Sequence, residues 1–126
     1  MEIKDILKKG TGLPVAENHF IKPPKLPYIV FIQKKKIRGI SKNNLIIDND
    51  VSVELYESLP DSEIENKVNE IIINNILKVF NNDIEIEIIQ DRDYIESEQM
   101  YITTFDFNFM EKGGMKSWKE LIKQSL

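Results

Sequence analysis

Cysteine is absent from the chain, and that single absence removes disulfides, thiolate nucleophiles and cysteine-ligated metals together. Histidine occurs once, at His19, beside Glu17 in a proline-rich stretch. A lone histidine with no nucleophile motif around it reads first as a structural residue and only remotely as a general base. No apolar run approaches the roughly 20 residues that span a bilayer. The N-terminal MEIKDILKKGTG interleaves acids with its apolar residues, so it lacks the uninterrupted core of a secretory signal. The expected location is therefore the cytoplasm or an assembly made there, with no membrane partner. An excess of positive charge is missing as well: the formal net charge is -4. General nucleic-acid binders draw their affinity from Lys and Arg neutralising phosphates, so that class is disfavoured, though a local basic patch is not.

What is present suits one soluble domain. The 126 residues, 41% hydrophobic and 30% charged, are enough to bury roughly two-thirds of the unfolded surface without a metal or disulfide staple. Ile3, Ile6 and Leu7 share one helical face in residues 2–9, and Gly10 and Gly12 are expected to end that helix. Pro14, Pro23, Pro24 and Pro27 exclude regular helix or a central strand from the next segment. Leu13, Val15, Phe20 and Ile21 are too apolar for a free linker, so an ordered extended arm is predicted. Tyr28 to Ile32, apolar on both faces, is the candidate for the centre of a sheet.

The run QKKKIRGISKNN follows, gathering Lys34, Lys35, Lys36, Arg38 and Lys42 around Gly39, and reads as a protruding loop. Its bland interpretation is a solvated connection; its functional one is contact with an acidic protein surface or passing phosphates. A short strand at Leu45 to Ile47, a turn at Asp48-Asn49-Asp50 and a strand over VSVELY complete the first half. The Asp48/Asp50 pair has the spacing that opens a calcium loop, but Val53 stands where that loop needs glycine, so a turn is preferred.

After Pro60 a long helix is predicted over about residues 62 to 80, opened by a Ser62-Glu63-Ile64-Glu65 capping box. Its apolar stripe includes Ile64, Val68, Ile71, Ile72, Leu77, Val79 and Phe80, widened by Ile73 and Ile76. Such a helix either sits deep or touches another subunit. Ile84, Ile86 and Ile88 then alternate with glutamates, and Tyr101, Thr103, Phe105, Phe107 and Phe109 alternate with more polar residues, so a hairpin turning at Glu96-Ser97-Glu98 is expected. Asp91, Asp93, Glu96 and Glu98 near its tip are candidate cation ligands, weighed against an ordinary charged turn. Gly113-Gly114 should break the pattern before a short capped helix from Ser117 that carries Trp118, Leu121 and Ile122. The sum is an α+β domain over residues 1–112, with a largely antiparallel or mixed sheet of about four to five strands, one long helix on one face and short terminal helices. Residues 113–126 form a helical extension.

Read together, the segments LPVAENHF with its following prolines, PYIVFI, VSVELYE and YIESEQMYITTFDFNF resemble small phage and prophage proteins of the tail-terminator, or tail-completion, group. The resemblance covers about residues 12 to 112. It implies an α/β subunit that forms a ring, commonly a hexamer, capping the finished tail tube and offering a docking surface to the head–tail connector protein. The partners implied are the chain itself, the tail tube protein and the connector, with transient proximity to DNA in the tube lumen. The implied location is the virion or a phage-tail-like particle assembled in the host cytoplasm. The family has no catalytic residues to transfer, so neither enzyme activity nor a cofactor is expected. Contact is expected at Lys34, Lys35, Lys36 and Arg38, and at Trp118, Leu121 and Ile122. The chain departs from the group at Glu17, where an aromatic is usual, and in its lysine-rich loop. A head–tail connector or stopper protein, a small metal-dependent enzyme built on the carboxylates near Asp91, and a monomeric binding module are the competing readings.

Overall fold

The computed structural model describes residues 2–41, 44–80 and 87–114. A five-stranded mixed sheet carries helices on one face, the α+β architecture expected. In chain order the elements are α1 (Ile3–Thr11), β1 (Val15–Glu17), β2 (Tyr28–Ser41), β3 (Asn44–Glu57), α2 (Ser62–Ile72), a π-helical turn (Ile73–Leu77), α3 (Lys78–Phe80), β4 (Ile89–Ile95) and β5 (Met100–Gly114). The strand order is β1-β2-β3-β5-β4, antiparallel except for the β1–β2 pair. Among the described residues no helix is long and apolar enough to cross a membrane.

The largest departure from expectation lies in β2 and β3. Lys34 to Arg38 do not form a loop, and Asp48-Asn49-Asp50 do not form a turn; both lie inside 14-residue strands paired without interruption from Tyr28↔Tyr56 to Gly39↔Leu45. The register explains why a charged run stays extended. Lys34 stands opposite Asp50 and Lys36 opposite Asp48, and opposite charges across a pair stabilise it. Residues 45, 47, 49, 51, 53, 55 and 57 thus share one parity, and all are buried. The central strand is β3 and not β2, although β2 is interior. Strand β1 was not anticipated: proline keeps the arm at the sheet edge, where three residues pair parallel to Ile29–Phe31. Of the arm's apolar residues, Val15 is buried and Leu13 packs on the core, whereas Ile21 is 98% exposed.

The helical layer is positioned by close approach. Gly10 lies inside α1, not at its end; a Cβ there would come 2.3 Å from Ile71 Cδ1, so its bareness lets α1 and α2 touch. The C-terminal stop is Gly12, left-handed at φ 73°, whose N–H donates to Lys8 O. The 19-residue helix begins at Ser62, and its cap lies one residue before the expected one. Asp61, not Ser62, is the N-cap, accepting from Glu63 N at 2.9 Å, which frees Glu65 to turn inward. The π turn inserts one residue into the stripe, so that Ile71 and Ile72 are followed in the core by Ile76 and Leu77. That phase shift is why Val79 and Phe80, expected on the apolar face, are 59% and 43% exposed.

The core joins Ile3, Ile6 and Leu7 of α1 and Val68, Ile71, Ile72, Ile76 and Leu77 to the helix-facing residues of the sheet. On β5 those are Phe105, Phe107 and Phe109, as their alternation predicts. The hairpin that ends in β5 uses Ile89–Ile95 as its first strand and turns over residues 96–99; Ile84 and Ile86 lie outside the described residues. Gly113 and Gly114 do not break the strand but continue it, opposite Leu45 and Asn44. The expected helix from Ser117 lies outside the described residues.

Candidate functional site

Strand alternation divides the basic run. Lys34, Lys36 and Arg38 point to the sheet face that the described helices leave open, while Lys35 has the parity of Ile29 and Phe31 and points to the helix side. The four expected contact residues are therefore not one patch, and three of them form a line. Trp118, Leu121 and Ile122 lie outside the described residues.

On the open face the line is partly neutralised. Arg38 Nη2 is 3.8 Å from Asp48 Oδ2, and Asn108 Nδ2 on β5 donates to Asp48 Oδ1 at 2.6 Å and to Asp50 Oδ1 at 2.7 Å. A polar ladder thus runs across β2, β3 and β5. Beside it lies a concavity of about 720 Å³ whose walls include Ile32, Lys34, Asp50, Ile89, Asp106 and Met110. Ile32, Ile89 and Met110 are exposed there, apolar groups placed among charges. The lower end of this face is closed by the arm: Phe20 meets Tyr28 edge-on at 5.3 Å and Tyr28 stacks on Tyr56 at 4.9 Å. Burial first, and then the neighbouring Glu54 carboxylate, push the Tyr56 phenol up to about 12, so it stays a neutral donor to Glu54 Oε1.

The helix side holds two polar clusters that the sequence reading missed. At the start of α2, Glu65 is buried against the Arg92 guanidinium and receives Thr103 Oγ1 at 3.4 Å and Gln90 Nε2 at 3.5 Å. Nearby, Glu57 is 2% exposed; its Oε2 accepts from Asp61 N at 3.2 Å, while Oε1 has no partner among the described residues. Burial raises the Glu57 carboxyl above its ordinary range, against the lowering effects of the Asp61 N–H and Arg92. At the other end Asn49, fully buried, accepts from Gln33 Nε2 and donates to Glu111 Oε1, each at 2.9 Å. Parity was the signal available: Asn49 and Glu57 fall in step with Val51, Val53 and Leu55, a continuity hidden by placing a turn at residues 48–50.

The remaining candidates are dispersed. His19 is exposed in the arm. Asp91 and Asp93 are exposed on β4, and Glu96 and Glu98 lie in the following turn. Among the described residues no group of three His, Cys, Asp or Glu side chains is placed to hold a metal ion. Among the described residues the arrangement offers surfaces for contact: a basic line, an open half-apolar sheet face and two exposed strand edges. The chain matches no family model and no curated protein.

Proposed function

We propose that this chain is a non-enzymatic component of a phage or phage-tail-like particle, a tail terminator that caps the tail tube as a ring and presents the head–tail joining surface. The observation that carries the reading is the open face of the sheet, where Lys34, Lys36 and Arg38 stand in line beside exposed Ile32, Ile89 and Met110. Large faces of mixed polarity without a described covering element suit recognition by shape and many weak contacts. The segments resembling the tail-terminator group supply the identity of the assembly. A ring further requires a surface that binds a different surface of the next copy.

The test mixes the full chain with tail tubes that lack a terminator and images them. Capped tubes of constant length are expected. Neutralising Lys34→Gln, Lys36→Gln and Arg38→Gln together should weaken capping with the circular dichroism spectrum unchanged. Neutralisation is preferable to reversal here, because glutamates would face Asp48 and Asp50 across the hairpin. Binding to connector-bearing heads, with no binding to tubes, would reassign the chain to a stopper.

A further inference from the structure

The two outer edges of the sheet carry opposite charges in a matching order. On one side β1 covers only Ile29–Phe31, so β2 from Ile32 onward has no described neighbour on its outer side. Ile29 N donates to Pro14 O and Phe31 O accepts from Asn18 N, which sets the odd-numbered residues of β2 as the outward-bonding ones. Gln33, Lys35 and Ile37 therefore hold outward backbone groups that no described strand pairs, while Ile32, Lys34, Lys36 and Arg38 line the open face along this edge. On the other side β4 is outermost and almost wholly exposed. Carrying the same alternation across β3 and β5 makes Gln90, Arg92 and Tyr94 its outward-bonding residues, with Ile89, Asp91, Asp93 and Ile95 on the open face.

We propose that copies of this chain join head to tail by sheet extension, the β2 edge of one copy pairing antiparallel with the β4 edge of the next. Within the sheet β2 and β4 run in opposite directions, so rotating a copy about an axis along the strands brings them together antiparallel. One register meets the constraints of direction, hydrogen-bonding parity and open-face charge together. It places Ile32 opposite Ile95, Lys34 opposite Asp93, Lys36 opposite Asp91 and Arg38 opposite Ile89. The hydrogen-bonded pairs become Gln33 with Tyr94, Lys35 with Arg92 and Ile37 with Gln90. The one like-charged pair involves Arg92, whose guanidinium Glu65 already holds. Asp91 Oδ1 accepts the outward Arg92 N–H at 2.9 Å in the free chain, and joining exchanges that local cap for Lys36.

Symmetric alternatives are disfavoured by the same charges. Two β2 edges would set lysines against lysines, and two β4 edges aspartates against aspartates. Charge on a sheet edge ordinarily deters pairing. Here deterrence acts between like edges and attraction between unlike ones, the pattern that yields a heterologous, ring-forming contact. The joint rests on the reading of the chain as a self-assembling particle component and gives that reading a specific contact.

Sedimentation of the full chain at low and high salt, with two charge variants and their mixture, tests it. Wild type should self-associate, less so at high salt. Lys34→Glu/Lys36→Glu, used only if its circular dichroism spectrum is unchanged because its glutamates face Asp50 and Asp48, and Asp91→Lys/Asp93→Lys should each weaken association on the order of tenfold or more, because each makes its two edges alike in sign. Mixed in equal amounts, the two variants should assemble again, since each then meets its complement. The β4 variant faces only Thr104 and Ile102 within its own sheet, so its folding is the safer control. Because the chain has no cysteine, Lys34→Cys/Asp93→Cys should form a reducible ladder of multimers under oxidation, a non-hydrogen-bonded pair having Cα atoms about 4.5 Å apart. A wild-type chain that stays monomeric, or variants that neither weaken alone nor recover together, would overturn the joint. Rings that survive both reversals would refute the joint and leave the terminator reading standing. Filaments built through this joint that bind no tail tube would do the reverse.

Discussion

Glu57 is the residue whose replacement tests the physical account of the fold most sharply. Its carboxylate is buried beneath the start of α2 with one oxygen bonded to Asp61 N and the other unpartnered among the described residues. A buried acceptor left without a partner costs on the order of 1–3 kcal/mol. In Glu57→Met both oxygens go and the volume stays similar. The lost bond to Asp61 N is worth about 1 kcal/mol, and that N–H belongs to an exposed residue able to turn to water. The expected balance at neutral pH is a stabilisation of about 1 kcal/mol. Its pH dependence has a definite sign. Burial raises the folded-state pKa above 4.5, so the folded chain holds a proton that the unfolded chain has released. The contribution of Glu57 to stability is therefore complete below the ordinary glutamate range and is lost as pH rises through the raised value. Urea unfolding of both proteins between pH 4 and pH 8 should show the advantage of Glu57→Met shrinking toward acid. Glu57→Gln, which keeps an acceptor for Asp61, should show the same trend. A variant destabilised at neutral pH, or a difference independent of pH, would refute the assignment of Glu57 as a strained buried carboxyl.

Phe105→Ala should cost about 3–5 kcal/mol in denaturant unfolding, because Phe105 is fully buried among the residues that join sheet to helix; a loss under about 2 kcal/mol would place the core elsewhere. Gly10→Ala gains about 1 kcal/mol in helix propensity but meets Ile71, and overpacking costs about 1–3 kcal/mol. Net destabilisation is expected, and Ile71→Val, which removes the nearest atom, should relieve part of it in a double-mutant cycle. Tyr56 should ionise near pH 12 in an ultraviolet titration, with its contribution to stability complete below pH 10 and lost as pH rises through 12; a Tyr56→Phe difference spectrum that rises at the ordinary phenol value of about 10 would contradict the effect of burial and Glu54.

Several features were legible because they depend on local periodicity. Alternation in Phe105, Phe107 and Phe109 named the core face of β5, and the 3.6-residue repeat located the 19-residue helix to its ends. The α+β class followed from the mixture of these two periods. Local signals also misled where a partner strand overruled them. Lysine and aspartate runs look like loop and turn when each is seen alone; paired, Lys34 with Asp50 and Lys36 with Asp48, they are mutually neutralising positions of one long hairpin. Val79 looked apolar-facing until one extra residue in the π turn rotated it outward.

The sequence by itself therefore determined which segments are strand or helix wherever a run of side chains repeats at the period of its own backbone. Only the tertiary structure decided strand order, register and edge, because those depend on residues far apart in the chain. The basic run is the clearest case. Its charge is a property of composition, but its division between two faces and its position on the sheet edge opposite β4 exist only once five strands have paired.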